Sequence, residues 1–190
     1  MDNPELLDVV QRLAVVFARR QVRHALIGGL AVGLRGRPRA TKDADFILHF
    51  PALAFPSLLE ELVADGFEID VMDFIRRWSV DRFAVFYRGH SRIDWMQPVL
   101  PLYANVMDAA EPMRWLDAEL RVATTEGLIL TKMVAFRPQD RVDIETLLIV
   151  NREKIDLELI RQEWSSVAIG EEGRTAWLEE AIARSADSRT

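Results

Sequence analysis

The sequence predicts an α+β protein, with a small mixed sheet flanked by helices and a C-terminal helical subdomain. Short apolar runs with strand-like alternation occur between residues 24 and 124, interrupted by helical segments. After residue 124, four segments in succession have the three-and-four spacing of amphipathic helices. These two observations predict an α/β core over residues 1–124 and a helical subdomain over residues 125–190.

The first elements are predicted from their end signals as well as from their periodicity. Asn3 can cap a helix that has Pro4 in its first turn and ends near Arg20. The next residues predict a strand over 24–27, a tight turn at Gly28 and Gly29, and a short helix that ends near Gly36. A basic loop over 35–42 follows, and then a strand over 43–50 that ends at Pro51.

The remaining elements follow from turn residues and helical spacing. Arg88, Gly89 and His90 separate two alternating runs, which is typical of a hairpin. The predicted elements are a helix over 53–63 with Gly66 beyond its end, hairpin strands over 82–87 and 91–96, a strand over 116–124, and helices over 126–136, 140–150, 157–164 and 175–186.

Composition excludes several kinds of active site. The chain has 190 residues, no cysteine and three histidines, so thiol catalysis, disulfides and cysteine-bound zinc are ruled out. Any metal is therefore expected on carboxylates. With 49% hydrophobic and 28% charged residues, the chain has the balance of a folded globular protein.

The distribution of charged and apolar residues indicates where the protein is located and which partners it can bind. The longest weakly polar run, residues 25–34, is half of the ~20 residues that a membrane span needs, and the N-terminus lacks signal-peptide features. We therefore expect a cytoplasmic protein with no membrane partner. The net charge of −6 argues against broad coating by nucleic acid, but residues 1–42 carry eight Lys and Arg against three acids. The net charge therefore does not argue against a local basic site for a phosphate-bearing ligand.

Three carboxylates are the leading candidates for chemistry. Asp43 and Asp45 lie two apart on a predicted strand, so both point to one face, where a cation such as Mg²⁺ or Mn²⁺ would relieve their repulsion. The alternative interpretation of this spacing is two solvated acids at the edge of a strand. Asp94 lies between the apolar Ile93 and Trp95, and it joins the pair if the two strands are neighbours. Its alternative is an ion pair with Arg92.

The glycine turn predicts a phosphate site. Gly28 and Gly29 end a strand and open a helix, so their backbone N–H groups can approach phosphate oxygens. Arg37, Arg39 and Lys42 lie in the loop that leads to the carboxylates and could also meet phosphate. A turn needed only for packing, and solvated loop charges, are the alternatives.

These residues together resemble a known family. Ile27-Gly28-Gly29, followed by the run Arg39-Ala40-Thr41-Lys42-Asp43-Ala44-Asp45-Phe46, is similar to the signature of the polymerase-β-like nucleotidyltransferase superfamily. Together with Lys132 and the later Arg137, Asp140 and Asp143, it resembles the AbiEii-type group, which includes toxins of toxin–antitoxin and phage-defence systems. The resemblance covers about residues 24–148. It departs from the pattern at Gly29, where the superfamily often has a serine whose hydroxyl contacts phosphate.

The resemblance implies a nucleotidyltransferase fold and a role for each matching residue. It implies catalytic roles for Asp43, Asp45, Asp94, Lys132, Asp140 and Asp143, metal binding by Asp43, Asp45 and Asp94, and nucleotide binding by Gly28, Gly29, Arg39, Thr41 and Lys42. An alternative for Lys132 and its acids is an ion pair that fastens two helices together.

The expected activity is transfer of NMP from an NTP to an acceptor hydroxyl, with Mg²⁺ or Mn²⁺ as cofactor. The acceptor is open between tRNA or another RNA, a protein, and a small molecule. The alternative is a catalytically weak binding module of a toxin–antitoxin pair, with a cognate antitoxin as partner.

Overall fold

The protein is built around a six-stranded open sheet. A computed structural model describes residues 3–187, and the predicted α+β class, with a mixed sheet flanked by helices, is confirmed there. The strands are β1 (Arg23–Ile27), β2 (Asp43–His49), β3 (Phe83–Arg88), β4 (Ser91–Met96), β5 (Glu111–Trp115) and β6 (Ala118–Val122). Their spatial order is β3-β4-β2-β1-β6-β5, with β2/β4 and β1/β6 parallel and the other neighbours antiparallel.

Nine α-helices flank this sheet in the described part of the chain. They are α1 (Pro4–Arg20), α2 (Gly28–Arg35), α3 (Phe55–Ala64), α4 (Val71–Val80), α5 (Pro101–Ala109), α6 (Thr125–Ala135), α7 (Pro138–Asn151), α8 (Leu157–Ser165) and α9 (Glu172–Asp187), with a 3-10 turn at Ala52–Ala54.

Helix α1 forms where the sequence predicts it. The side chain of Asn3 accepts a hydrogen bond from Leu6 N at 3.2 Å, which satisfies one of the free N–H groups of the first turn. The helix buries its apolar residues, which follow the three-and-four spacing of an amphipathic helix. It ends at Gln21, whose backbone has the left-handed conformation.

The two faces of the sheet have different chemistry. On one face, Phe17 of α1 packs on Phe46 with ring centroids 5.3 Å apart, and Phe74 of α4 packs on Trp95 at 5.7 Å. Side chains alternate along a strand, so the residues next to Phe46 and Trp95 point to the opposite face. That opposite face carries Asp45 and Asp94 and is bordered by α5 and α6.

The helices after residue 124 share their core with the sheet. Helix α6 packs against α2, α5, α7 and α8, and the buried apolar residues form one cluster that runs from Leu6 to Ile182. The division at residue 124 stays a prediction. Residues 1–2 and 188–190 of the predicted ranges lie outside the described residues.

Helices α4 and α5 and strand β5 were not predicted from the sequence. Helix α4 was predictable, since its apolar residues have helical spacing with Phe74 and Trp78 buried one turn apart, whereas α5 has nine residues, buries three of them and has weaker periodicity. Strand β5 contains Pro112, which a strand tolerates at the sheet edge where β5 lies. Within residues 3–187, no helix has the length and apolar character needed to span a membrane.

Candidate active site

Three carboxylates lie together at one end of two parallel strands. Strand β2 pairs with β4 in a register that places Asp45 directly opposite Asp94, and Asp43 opposite Arg92. Ala44, between the two β2 acids, is fully buried on the other face. The expected juxtaposition of the two strands is therefore confirmed, and the period of two aims Asp43 and Asp45 into the same cleft.

The crowding of negative charge is strongest at Asp45. Burial, then the charges of Asp94 and Asp43, raises the pKa of the Asp45 carboxyl to about 6, against smaller opposing effects of Lys132 and Arg137. Burial also raises the pKa of Asp94, although its hydrogen bonds with Arg92 act in the opposite direction. The site is therefore an electrostatic environment that favours a bound cation or proton.

Arg92 already provides one cation to this group. Its Nε donates to Asp94 Oδ1 at 2.7 Å and its Nη2 donates to Asp94 Oδ2 at 2.9 Å, so each oxygen of Asp94 already accepts one hydrogen bond from a cation. The alternative reading of Asp94 as an ion-pair partner of Arg92 is thus seen in the structure. Asp94 nevertheless lines the same cleft as Asp43 and Asp45.

The acidic group fits a divalent metal in its donor chemistry but only partly in its arrangement. Asp43 and Asp45 offer the hard oxygen ligands that Mg²⁺ and Mn²⁺ prefer, and Asp45 carries a charge that the fold alone leaves poorly compensated. Among the residues that the structure describes, no three acidic or histidine side chains are arranged to hold a metal ion together. Asp94 is instead engaged by the bidentate contact from Arg92.

The glycine turn lies directly against the carboxylates. Gly28 has φ +69°, a conformation that favours glycine, and a Cβ there would lie 1.9 Å from Asp45 Oδ2. Gly29 is buried in the first turn of α2, where a Cβ would lie 2.7 Å from Nη2 of Arg39. Glycine is therefore required at position 28 by its backbone conformation and by Asp45, whereas a side chain at position 29 would have to displace the flexible end of Arg39.

Helices α6 and α7 supply a buried lysine and the two carboxylates that hold it. Lys132, of which 5% is exposed, lies with Nζ 2.8 Å from Asp140 Oδ1 and 2.8 Å from Asp143 Oδ2. Burial alone would raise the pKa of Asp140, but hydrogen bonds from Arg137 and Lys132 outweigh it and lower that pKa. The alternative of an interhelical ion pair is therefore present, and Lys132 and Asp140 line the cleft as well.

The cleft between these groups has a volume of about 580 Å³. It brings together most of the predicted site residues, whereas Lys42 and Arg37 are exposed and do not line it. Asp143 does not line it either, because it is buried against Arg39 and Lys132. Sequence reasoning missed Tyr103, Met96 and Gln139, and no local pattern distinguishes them. The lining consists of Ile27, Gly28, Gly29, Arg39, Thr41, Asp43, Asp45, Arg92, Asp94, Met96, Tyr103, Thr131, Lys132, Ala135, Arg137, Pro138, Gln139 and Asp140.

Comparison with known proteins identifies the fold. No protein-family model and no curated protein sequence matches the chain. Among solved structures, an antigenic nucleotidyltransferase-like protein from Paracoccidioides brasiliensis has 13% identity and a TM-score of 0.53, with 93% of each chain covered. The antibiotic-resistance factor ANT(2'')-Ia has 16% identity and a TM-score of 0.54, covering 97% of this chain and 100% of its own.

A third similar structure is the lincosamide antibiotic adenylyltransferase LnuA in its lincomycin-bound form. It has 16% identity and a TM-score of 0.52, and the match covers 79% of this chain and 98% of LnuA. The chain therefore has the nucleotidyltransferase fold that the motif predicts. The narrower AbiEii-type group is not confirmed.

Proposed function

We propose that this protein is a metal-dependent nucleotidyltransferase, which transfers NMP from an NTP to an acceptor hydroxyl and releases pyrophosphate. The observation that carries the proposal is the composition of one cleft, which is lined by acidic side chains of β2 and β4, by the glycine turn, and by the cationic side chains of Arg39, Lys132 and Arg137. Nucleotidyl transfer needs side chains of both charges, because a polyanionic substrate must be held while charge shifts at its α-phosphate.

The cationic side is suited to the triphosphate. Arg39, Lys132 and Arg137 line the cleft together with the turn, and with the two carboxylates that hold them they leave a net single positive charge. Gly28 and Gly29 allow backbone N–H groups at the start of α2 to approach phosphate oxygens without steric hindrance from side chains of their own.

The acidic side is suited to the metal and to the acceptor. Asp43 and Asp45 would hold Mg²⁺ or Mn²⁺, with Asp94 as the third carboxylate once Arg92 turns away. When bound, the metal would supply neutralisation of triphosphate charge and acidification of the acceptor hydroxyl. The acceptor oxygen would form a bond to the α-phosphorus, the bond to the pyrophosphate oxygen would break, and Asp94 would take the hydroxyl proton.

The acceptor stays open among RNA, protein and small molecules. Two of the similar structures are described as an antibiotic-resistance factor and an antibiotic adenylyltransferase, so small hydroxyl-bearing compounds belong in any screen. The toxin role and the cognate antitoxin stay predictions from the resemblance.

A specific observation favours one second candidate, a binding module with weak catalysis. Arg92 donates to both oxygens of Asp94, so the acidic group is partly neutralised from within. Such a module would bind a nucleotide or a partner protein without needing the third carboxylate.

Nucleotide-induced thermal stabilisation distinguishes the enzyme from the module. The wild-type protein should gain stability from an NTP when Mg²⁺ or Mn²⁺ is present and little from the NTP alone; at a ligand concentration of 100 Kd the gain is ~2.7 kcal/mol, or roughly 5–10 °C. Asp43→Ala/Asp45→Ala should lose this metal-dependent gain. An equal gain in the double variant, or none in wild type with any of the four NTPs, would contradict the proposal.

A further inference from the structure

The position of Arg39 explains why residue 29 has no side chain. A Cβ built on Gly29 would lie 2.7 Å from Arg39 Nη2 and 3.1 Å from Arg39 Cζ, so the guanidinium occupies the volume that a side chain would need. The backbone of Gly29 is outside the left-handed region, so its conformation alone does not require glycine. Arg39 can keep its present place only while residue 29 has no side chain.

A buried carboxylate holds the guanidinium in this place. Asp143, of which 2% is exposed, accepts from Arg39 Nη2 at 3.1 Å through Oδ2, and its Oδ1 lies 3.1 Å from Arg39 Nε without the alignment of a hydrogen bond. The same carboxylate pairs with Lys132 at 2.8 Å. Because Asp143 is 104 residues from Arg39 in the chain, this contact fixes the basic loop against α7.

One edge of the guanidinium stays available to a ligand. Asp143 engages the Nε and Nη2 edge, whereas Nη1 has only a long 3.5 Å contact with the carbonyl of Ala40. Arg39 lines the cleft beside the glycine turn. A guanidinium presents planar, paired donors that match phosphate oxygens, and one that is already oriented loses little freedom on binding.

We propose that Arg39, seated in the space that Gly29 leaves open, is the side chain that binds the NTP phosphates at the glycine turn, and that its placement depends on the absence of a side chain at position 29. The proposal rests on the proposed function and specifies how the turn recognises phosphate. Gly29 and Arg39 then act as one unit rather than as two independent contacts.

A double-mutant cycle tests this dependence. Gly29→Ala, Arg39→Gln and the double variant are compared with wild type for binding of each Mg·NTP and of magnesium tripolyphosphate, by calorimetry. Each single variant should bind about 10- to 100-fold more weakly, the loss expected for one charge-assisted contact. The double variant should bind no more weakly than Arg39→Gln, because both changes remove the same contact.

The control is Arg37→Gln, which removes the same charge from an exposed position of the same loop and should bind like wild type. Gly29→Ala should fold, since its new Cβ meets only the flexible end of Arg39, and circular dichroism with urea unfolding checks this. The double variant Gly29→Ala/Arg39→Gln has no guanidinium for the new Cβ to meet. It therefore shows whether alanine at position 29 is compatible with folding when Arg39 is absent.

Three results would overturn the proposal while leaving nucleotidyl transfer intact. They are wild-type affinity in Gly29→Ala, losses that multiply in the double variant, and a loss seen with NTPs but absent with tripolyphosphate. Failure of wild type to bind any NTP would instead contradict the proposed function itself, and this inference with it.

Discussion

Replacing Asp45 by asparagine should stabilise the protein in the absence of divalent metal, because the fold penalises the negative charge at that position. Burial, with the charges of Asp94 and Asp43, raises the pKa of Asp45 from 3.8 to about 6. A difference of roughly two pKa units corresponds to ~3 kcal/mol at ~1.4 kcal/mol per unit. Asparagine has a similar volume and no charge, so Asp45→Asn should raise the free energy of unfolding by up to ~3 kcal/mol.

The pH dependence of this gain follows from the direction of the shift. Since the folded pKa lies above the unfolded one, the folded state binds the proton more tightly, and this group lowers wild-type stability as pH rises from about 4 to about 6. The advantage of Asp45→Asn should therefore be absent below about pH 4, roughly half developed near pH 5, and complete above about pH 6.

Urea unfolding in the presence of a chelator, at about pH 5 and about pH 8, measures the effect. Glu60→Gln removes one charge from an exposed position on α3 and should change stability little at either pH. A saturating concentration of Mg²⁺ should reduce the difference by stabilising wild type. An Asp45→Asn variant that is no more stable than wild type at about pH 8, or equally stabilised at both pH values, would refute the reasoning.

Three further substitutions test other parts of the cleft. Gly28→Ala should abolish transfer and cost ~1–2 kcal/mol in urea unfolding, because φ is +69° and the new Cβ would lie 1.9 Å from Asp45 Oδ2; retained activity would contradict this. Lys132→Met should cost ~1.5–3 kcal/mol in the same assay, because Asp140 and Asp143 lose their shared cation and keep only Arg137 and Arg39 as cationic partners, whereas a loss under ~1 kcal/mol would mean that the ion pairs are not structural. Arg92→Gln should tighten Mn²⁺ binding in calorimetry by freeing Asp94, and unchanged affinity would show that the Arg92 contact does not compete with metal.

The acidic side of the cleft was predictable because strand periodicity determines it. Asp43 and Asp45 share a face by their spacing, and Ile93 and Trp95 occupy the buried face and leave Asp94 on the other. Periodicity alone does not show that β2 pairs with β4. The structure has this pairing, with Asp45 opposite Asp94.

The cationic side was not predictable from periodicity, since it depends on contacts between distant parts of the chain. Arg39 meets Asp143 across 104 residues, and no local pattern signals that meeting. Lys132, Asp140 and Asp143 came from the family resemblance alone. Tyr103 was missed because it lies on α5, a nine-residue helix with three buried residues.

The most direct test of the central claim is transfer of an α-phosphate label from each of the four NTPs, with Mg²⁺ or Mn²⁺, into a bacterial lysate. Asp43→Ala/Asp45→Ala is the control, and the products are divided by nuclease and protease digestion. Nucleotidyl transfer predicts label in products made by wild type alone, whose nuclease or protease sensitivity, or resistance to both, names the acceptor class. Label no higher with wild type than with the double variant would contradict the claim and favour the binding module.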